Sequence, residues 1–204
     1  MRRGRWITGI LALTLAGMLS VAGCADAGSY SGKNEEGDTK AGTDLSQTQA
    51  DEQKADKTVF GDFTSWSLAG TEVTQDIFAE ADLTMVNIWG TFCGPCIDEM
   101  PELGELSREY EGKGVQIVGM LCDVYEPGGE KAEKALEIIE ATKADYTHIV
   151  ASDDLLRGTL GTVQAVPTTV FLDKEGKQVG QAYAGAADKE TWKKRIDELR
   201  KEVQ

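Results

Sequence analysis

Histidine is nearly absent, with His148 the single one in 204 residues. A structural zinc site needs two more ligands at workable spacing beside Cys93 and Cys96, and the folded part offers only the scattered Cys122 and His148. Covalent haem attachment needs a histidine directly after the second cysteine, where this chain has Ile97. Cysteine is scarce as well. Four in the whole chain are too few for the evenly paired disulfide scaffold of a small exported domain. Basic residues number 21 against 35 acidic ones, and a formal net charge of −14 argues against nucleic acid or anionic headgroups as partners. Long apolar runs are missing too: the stretch from Trp6 to Leu19 is short for a membrane span. No internal repeat is visible.

What the N-terminus does carry is the makeup of a secretion signal. Met1-Arg2-Arg3-Gly4-Arg5 is a positive start, the short apolar core follows, and Val21-Ala22-Gly23 supplies small residues before Cys24. Small residues followed directly by cysteine resemble a bacterial lipobox, whose cysteine is acylated and heads the mature chain. Residues 1–23 are therefore expected to be a lipoprotein signal peptide and Cys24 the lipidation site, with an uncleaved anchor helix as the alternative. Either places the remainder on the outer side of a cell membrane. Up to Lys57 the composition is Gly, Ser, Thr, Asp, Lys and Gln, with Tyr30 and Leu45 as rare large apolar residues. Such a segment cannot bury enough surface to fold, so residues 24–57 read as a flexible tether and 58–204 as one domain.

Within that domain, Met85–Trp89 is a buried-strand run, and Ile97, Met100, Leu103 and Leu106 follow at helical spacing. Val115–Leu121 predicts a second strand. Ala132–Ala144 predicts a helix with Ala135, Leu136, Ile138 and Ile139 inward, and Tyr146–Val150 a short strand. A brief helix near Asp153–Leu160 precedes a strand over Val166–Leu172. The turn Asp173–Gly176 leads to a hairpin partner, Gln178–Tyr183, and a last helix runs from Asp188 with Trp192, Ile196, Leu199 and Val203 on one face. Val59–Phe78 reads as an edge hairpin and a short helix. The order predicts an α/β domain: a central mixed β-sheet flanked by helices on both faces.

The chemistry concentrates at Cys93-Gly94-Pro95-Cys96, between a strand and a helix. A thiolate is the nucleophile in disulfide exchange, so the attacking sulfur needs a lowered pKa and a resolving partner nearby. Cys93 at a helix N-terminus meets unpaired N–H groups and the positive end of the dipole. Cys96 lies one turn on, placed to attack a mixed disulfide. Gly94 permits the tight turn, and Pro95 lacks an N–H that the first turn would not use.

The run Asn87-Ile88-Trp89-Gly90-Thr91-Phe92-Cys93-Gly94-Pro95-Cys96, with Pro101 five residues beyond, resembles thioredoxin and more closely its exported TlpA/ResA-like branch. The likeness spans about Val59 to Val203, and the stretch from about Tyr125 to Ser152 is similar to the central βα-type insertion of that branch. It implies a thioredoxin fold, catalytic Cys93 and Cys96, and a cis-proline at Pro167 against the cysteines, with the Val166 backbone free to pair with a substrate strand. Phe92, Gly94 and Pro95 would border the bound client, and Trp89 would be either a platform for it or core. In thioredoxin itself an aspartate occupies the position of Asn87 and assists proton transfer; no acidic residue in this sequence identifies itself as the substitute.

The resemblance further implies no cofactor beyond the Cys93–Cys96 disulfide. Its partners would be exported disulfide-containing proteins, such as apocytochrome c or methionine sulfoxide reductases, and a membrane thiol electron donor of CcdA/DsbD type. Gly-Pro between the cysteines resembles the reducing members. Two other readings stand beside reduction. A thiol peroxidase needs a Pro-x-x-x-Thr/Ser-x-x-Cys context, which the residues before Cys93 do not provide. A binding lipoprotein would hold Cys93–Cys96 as a static disulfide. Cys122 reads as a small buried hydrophobe and His148 as a satisfied structural residue.

Overall fold

The structure, a computed structural model, describes residues 58–204. The expected signal peptide, Cys24 and the tether lie outside the described residues. The first elements are the antiparallel strands β1 (Thr64–Trp66) and β2 (Glu72–Thr74), then a 3-10 helix, Gln75–Glu80, capped by the Thr74 hydroxyl accepting from Asp76 N–H. There follow β3 (Leu83–Trp89), α1 (Gly94–Tyr110), β4 (Val115–Leu121), α2 (Gly129–Thr142) and β5 (Thr147–Ile149). The chain then runs through α3 (Asp153–Arg157), a 3-10 turn at Thr159–Thr162, β6 (Thr168–Asp173), β7 (Gln178–Ala184) and α4 (Lys189–Leu199).

The main sheet has the order β5-β4-β3-β6-β7. Strands β3, β4 and β5 are parallel, and β6 and β7 run antiparallel to their neighbours. Right-handed crossovers carried in one direction along the sheet put α1 and α2 on the same face. There Met100 of α1 and Ala132 and Ala135 of α2 share a cluster with Trp89 and Leu121. On that face too, Trp192 and Ile196 of α4 pack on Leu83, Met85 and Phe171. The opposite face sets Val86, Ile88, Val118 and Met120 against Phe60, Phe63, Phe78 and Leu155. Strand β3 is thus buried on both sides, which explains its unbroken apolar run. Asn87 is its one strongly polar interruption.

Two contacts fix elements around the site. A Cβ on Gly104 of α1 would collide with the Lys143 carbonyl, so this glycine lets α1 close onto the end of α2. The outer edge of β5 is covered by the hairpin: Leu68 N–H donates to His148 O at 2.9 Å, and Val150 N–H to Trp66 O at 2.9 Å.

Two expectations need correction. The strand expected from Val166 begins at Thr168, because Pro167 has no N–H for the ladder and its carbonyl instead accepts from Gly185 N–H. Leu136, expected to face inward, is 46% exposed. The buried stripe of α2 is narrow, built from Ala132 and Ala135, and one residue beyond Ala135 the helix has turned by a quarter of a circle or more towards water.

Candidate active site

Strand β3 ends at Trp89, and Gly90 O accepts from Cys93 N–H at 3.0 Å, closing the turn that starts α1. Cys93 is the N-cap residue, and its Sγ accepts from Cys96 N–H at 3.3 Å. The two cysteines form a disulfide with an S–S distance of 2.01 Å and a Cα–Cα distance of 5.3 Å. Cys96 is fully buried whereas Cys93 retains 5% exposure, so Cys93 is the more accessible of the two. No acidic side chain stands in the first turn of α1, and the helix terminus is left free to favour an anion on Cys93. The loop is pinned from the β4 side: Asp123 accepts from Thr91 N–H at 3.0 Å and from the Thr91 hydroxyl at 2.7 Å. Beside it Cys122 is a free, half-buried thiol whose pKa is pushed up by burial and then by Asp123.

Below the disulfide lies a polar layer. The Asn87 amide donates to Glu99 Oε1 at 2.9 Å and to the Thr169 hydroxyl at 3.1 Å. Glu99 Oε2 accepts from Ala187 N–H and from the Trp192 indole, both at 3.1 Å. Desolvation raises the Glu99 pKa above its ordinary 4.5, and the Ala187, Trp192 and Asn87 hydrogen bonds oppose that rise. Glu99 sits on α1 one turn beyond Cys96, on the same buried face. Glu99 is thus a buried carboxylate hydrogen-bonded to Asn87 that the sequence reading did not single out. Its signal was present: an acid three residues from Cys96 and adjacent to Met100 falls on the apolar stripe of the helix, where a lone charged residue calls for partners.

The redoxin family model matches residues 42–197, which is most of the chain. The chain belongs to the redoxin family. Among curated relatives it is similar to the thiol-disulfide oxidoreductase ResA of Bacillus anthracis, 32% identical over 96 residues, covering 47% of this chain and 51% of that protein. ResA of Geobacillus thermodenitrificans is 33% identical over 115 residues, covering 56% and 62%. The chain thus spans about half the length of the first curated relatives it matches. Among solved structures, a thiol:disulfide interchange protein DsbE from Chlorobium tepidum superimposes with a TM-score of 0.56 at 26% identity, covering 72% of this chain and 97% of that one. The fold is the thioredoxin fold, and within that superfamily this redoxin is ResA-like.

In this redoxin the sequence-predicted residues gather at the carboxyl end of β3. Phe92 is 67% exposed, and Gly94 and Pro95 are exposed beside it. The Val166–Pro167 bond is cis, Pro167 is buried, and half-buried Val166 packs against the cluster that holds Trp89, Cys93 and Cys96. Trp89 has no exposure, so of the two readings kept for it the core one applies and no client can reach its ring in this state. His148 is buried and satisfied at both ring nitrogens, as expected of a structural residue.

Proposed function

We propose that this chain is an extracytoplasmic thiol–disulfide oxidoreductase that reduces disulfides in exported proteins. The observation that carries the reading is the Cys93–Cys96 disulfide at the amino terminus of α1, with Cys93 the more accessible sulfur. In the reduced protein the Cys93 thiolate attacks one sulfur of a client disulfide and expels the other as a thiolate, giving a mixed disulfide. The Cys96 thiolate then attacks Cys93 Sγ and releases the second client sulfur. Two electrons have passed to the client, and the cysteines are again a disulfide. Buried Glu99 is the group proposed to take the Cys96 proton.

Exposed Phe92, Gly94 and Pro95 would border the client, and the Val166 backbone, which bonds to no other described residue outside helices and strands, would pair with it. The resting disulfide is recharged by a thiol donor in the membrane, of CcdA/DsbD type. Apocytochrome c and methionine sulfoxide reductases are client classes consistent with this chemistry.

Gly94 and Pro95 put no cation or histidine between the cysteines, so the thiolate is stabilised mainly by the helix terminus. Modest stabilisation of the reduced form corresponds to a low potential. Equilibration with glutathione buffers is expected to give a value well below the about −120 mV of a strong oxidant, and alkylation of intact cells should find the pair mostly reduced. A potential near that oxidant with a largely oxidised pair would favour disulfide introduction. A value below about −300 mV in a pair that no donor reduces would make the disulfide structural.

The proposed lipid anchor has its own test. Cys24→Ala should leave a folded protein that reduces insulin at the parent rate but moves from the membrane fraction to the soluble one. Retention in the membrane would count against lipidation at Cys24.

A further inference from the structure

The lone histidine lies in β5, two strands away from β3, yet it bonds a residue of β3. The Trp89 indole N–H donates to His148 Nδ1 at 3.1 Å, and the bond is buried. On the other side of the ring, His148 Nε2 lies 2.9 Å from Ala144 O, an acceptor only, so the proton sits on Nε2 and Nδ1 offers its lone pair to the indole. Both nitrogens are used, and the tautomer is fixed by its surroundings.

Strand β4 stands between the two residues, and the bond can cross it because of Gly119. In register, Gly119 faces His148 on one side and Asn87 on the other. A Cβ there would collide with His148 Nδ1 and sit 2.7 Å from Cε1. Any side chain at 119 would push the imidazole off the sheet and break its reach to Trp89. Tyr146 holds the ring from another side, with centroids 4.5 Å apart and planes inclined by 31°. Burial lowers the His148 pKa to about 4, which keeps the ring neutral and the lone pair available at physiological pH.

The other end of this connection is at the disulfide. Trp89 belongs to the cluster that contains Cys93 and Cys96, and its carbonyl accepts from Cys122 N–H at 2.9 Å. The next residue, Gly90, closes the turn onto Cys93. An indole free to rotate would change the packing beneath both sulfurs.

We propose that His148 is a positioning residue for the redox pair: through its hydrogen bond to Trp89, made across Gly119, it fixes the indole that shares a buried cluster with Cys93 and Cys96. The proposal rests on the reductase reading above and names a residue that acts through another. It predicts that His148→Leu, which removes the acceptor, shifts the glutathione equilibrium constant of the pair and slows insulin reduction, each by about threefold or more, the scale of one lost neutral hydrogen bond. His148→Asn, which returns an acceptor near the Nδ1 position, should recover most of both. The Trp89 indole N–H resonance, assigned by its loss in Trp89→Phe, should move upfield in the leucine variant and return in the asparagine variant.

A folded leucine variant with the parent equilibrium constant and rate would overturn the proposal, as would an asparagine variant no better than the leucine one. If His148→Leu does not fold, the parent protein decides. The Trp89 indole proton should exchange slowly and change shift between oxidised and reduced states; fast exchange with no shift would refute positioning through this bond. A parent protein without disulfide reductase activity would refute the underlying reading instead, whatever the variants do.

Discussion

Cys93→Ser is expected to reduce insulin at the uncatalysed background rate, a loss of at least about a thousandfold, because a neutral hydroxyl replaces the attacking thiolate. Cys96→Ser should lose turnover to the same extent for a different reason. Its Cys93 still attacks, but nothing resolves the mixed disulfide, so covalent complexes with clients accumulate and can be separated on a non-reducing gel. The asymmetry follows from position: Cys93 caps α1 and keeps some exposure, whereas Cys96 is buried one turn inside. Trapping by Cys93→Ser with none by Cys96→Ser would reverse the roles.

Glu99→Gln should slow client reduction by about a hundredfold, the lower range for a lost proton-transfer group, at the step in which Cys96 resolves the mixed disulfide. As the acceptor of the Cys96 proton, Glu99 works when ionised, so the parent rate should rise with pH through a value above the ordinary glutamate 4.5. The variant should lose that limb and keep the thiol titration. Stability responds with the opposite sign. A carboxyl whose folded pKa lies above its unfolded value favours the fold when protonated; that contribution is complete below 4.5 and is lost as pH rises through the folded value. Chemical denaturation at two pH values should therefore show Glu99→Gln gaining stability relative to the parent on going from acid to neutral pH. An unchanged rate profile would remove Glu99 from proton transfer, and an unchanged stability difference would mean its hydrogen bonds fully offset the desolvation.

Much of this fold could be read from local pattern. The apolar run of β3, its neighbour β4 and the helical spacing through Met100, Leu103 and Leu106 correspond to elements buried on both faces or along a full stripe. The thiol pair was legible because CxxC combines chemistry and spacing within four residues. What escaped were partnerships across elements. Glu99 acquires its meaning only when α1 sets it against Asn87 of β3 and Trp192 of α4. The path from His148 to Trp89 depends on a glycine in a third strand. Leu136 was misplaced because α2 packs through alanines, and a helix that packs so closely buries a narrower stripe than its hydrophobic residues suggest.

The hairpin that covers β5 has a consequence for how such chains coexist. A bare strand edge is a template for any second strand, and molecules crowded on one surface would meet edge to edge far more often than in dilute solution. Here Trp66 and Leu68 already occupy the backbone groups of His148 and Val150, with Ser67 bridged to Ile149 between them. Neighbouring copies find no vacant backbone on β5 to add a strand, and the edge the hairpin itself presents is the three-residue β2, too short to make a good template for polymerisation.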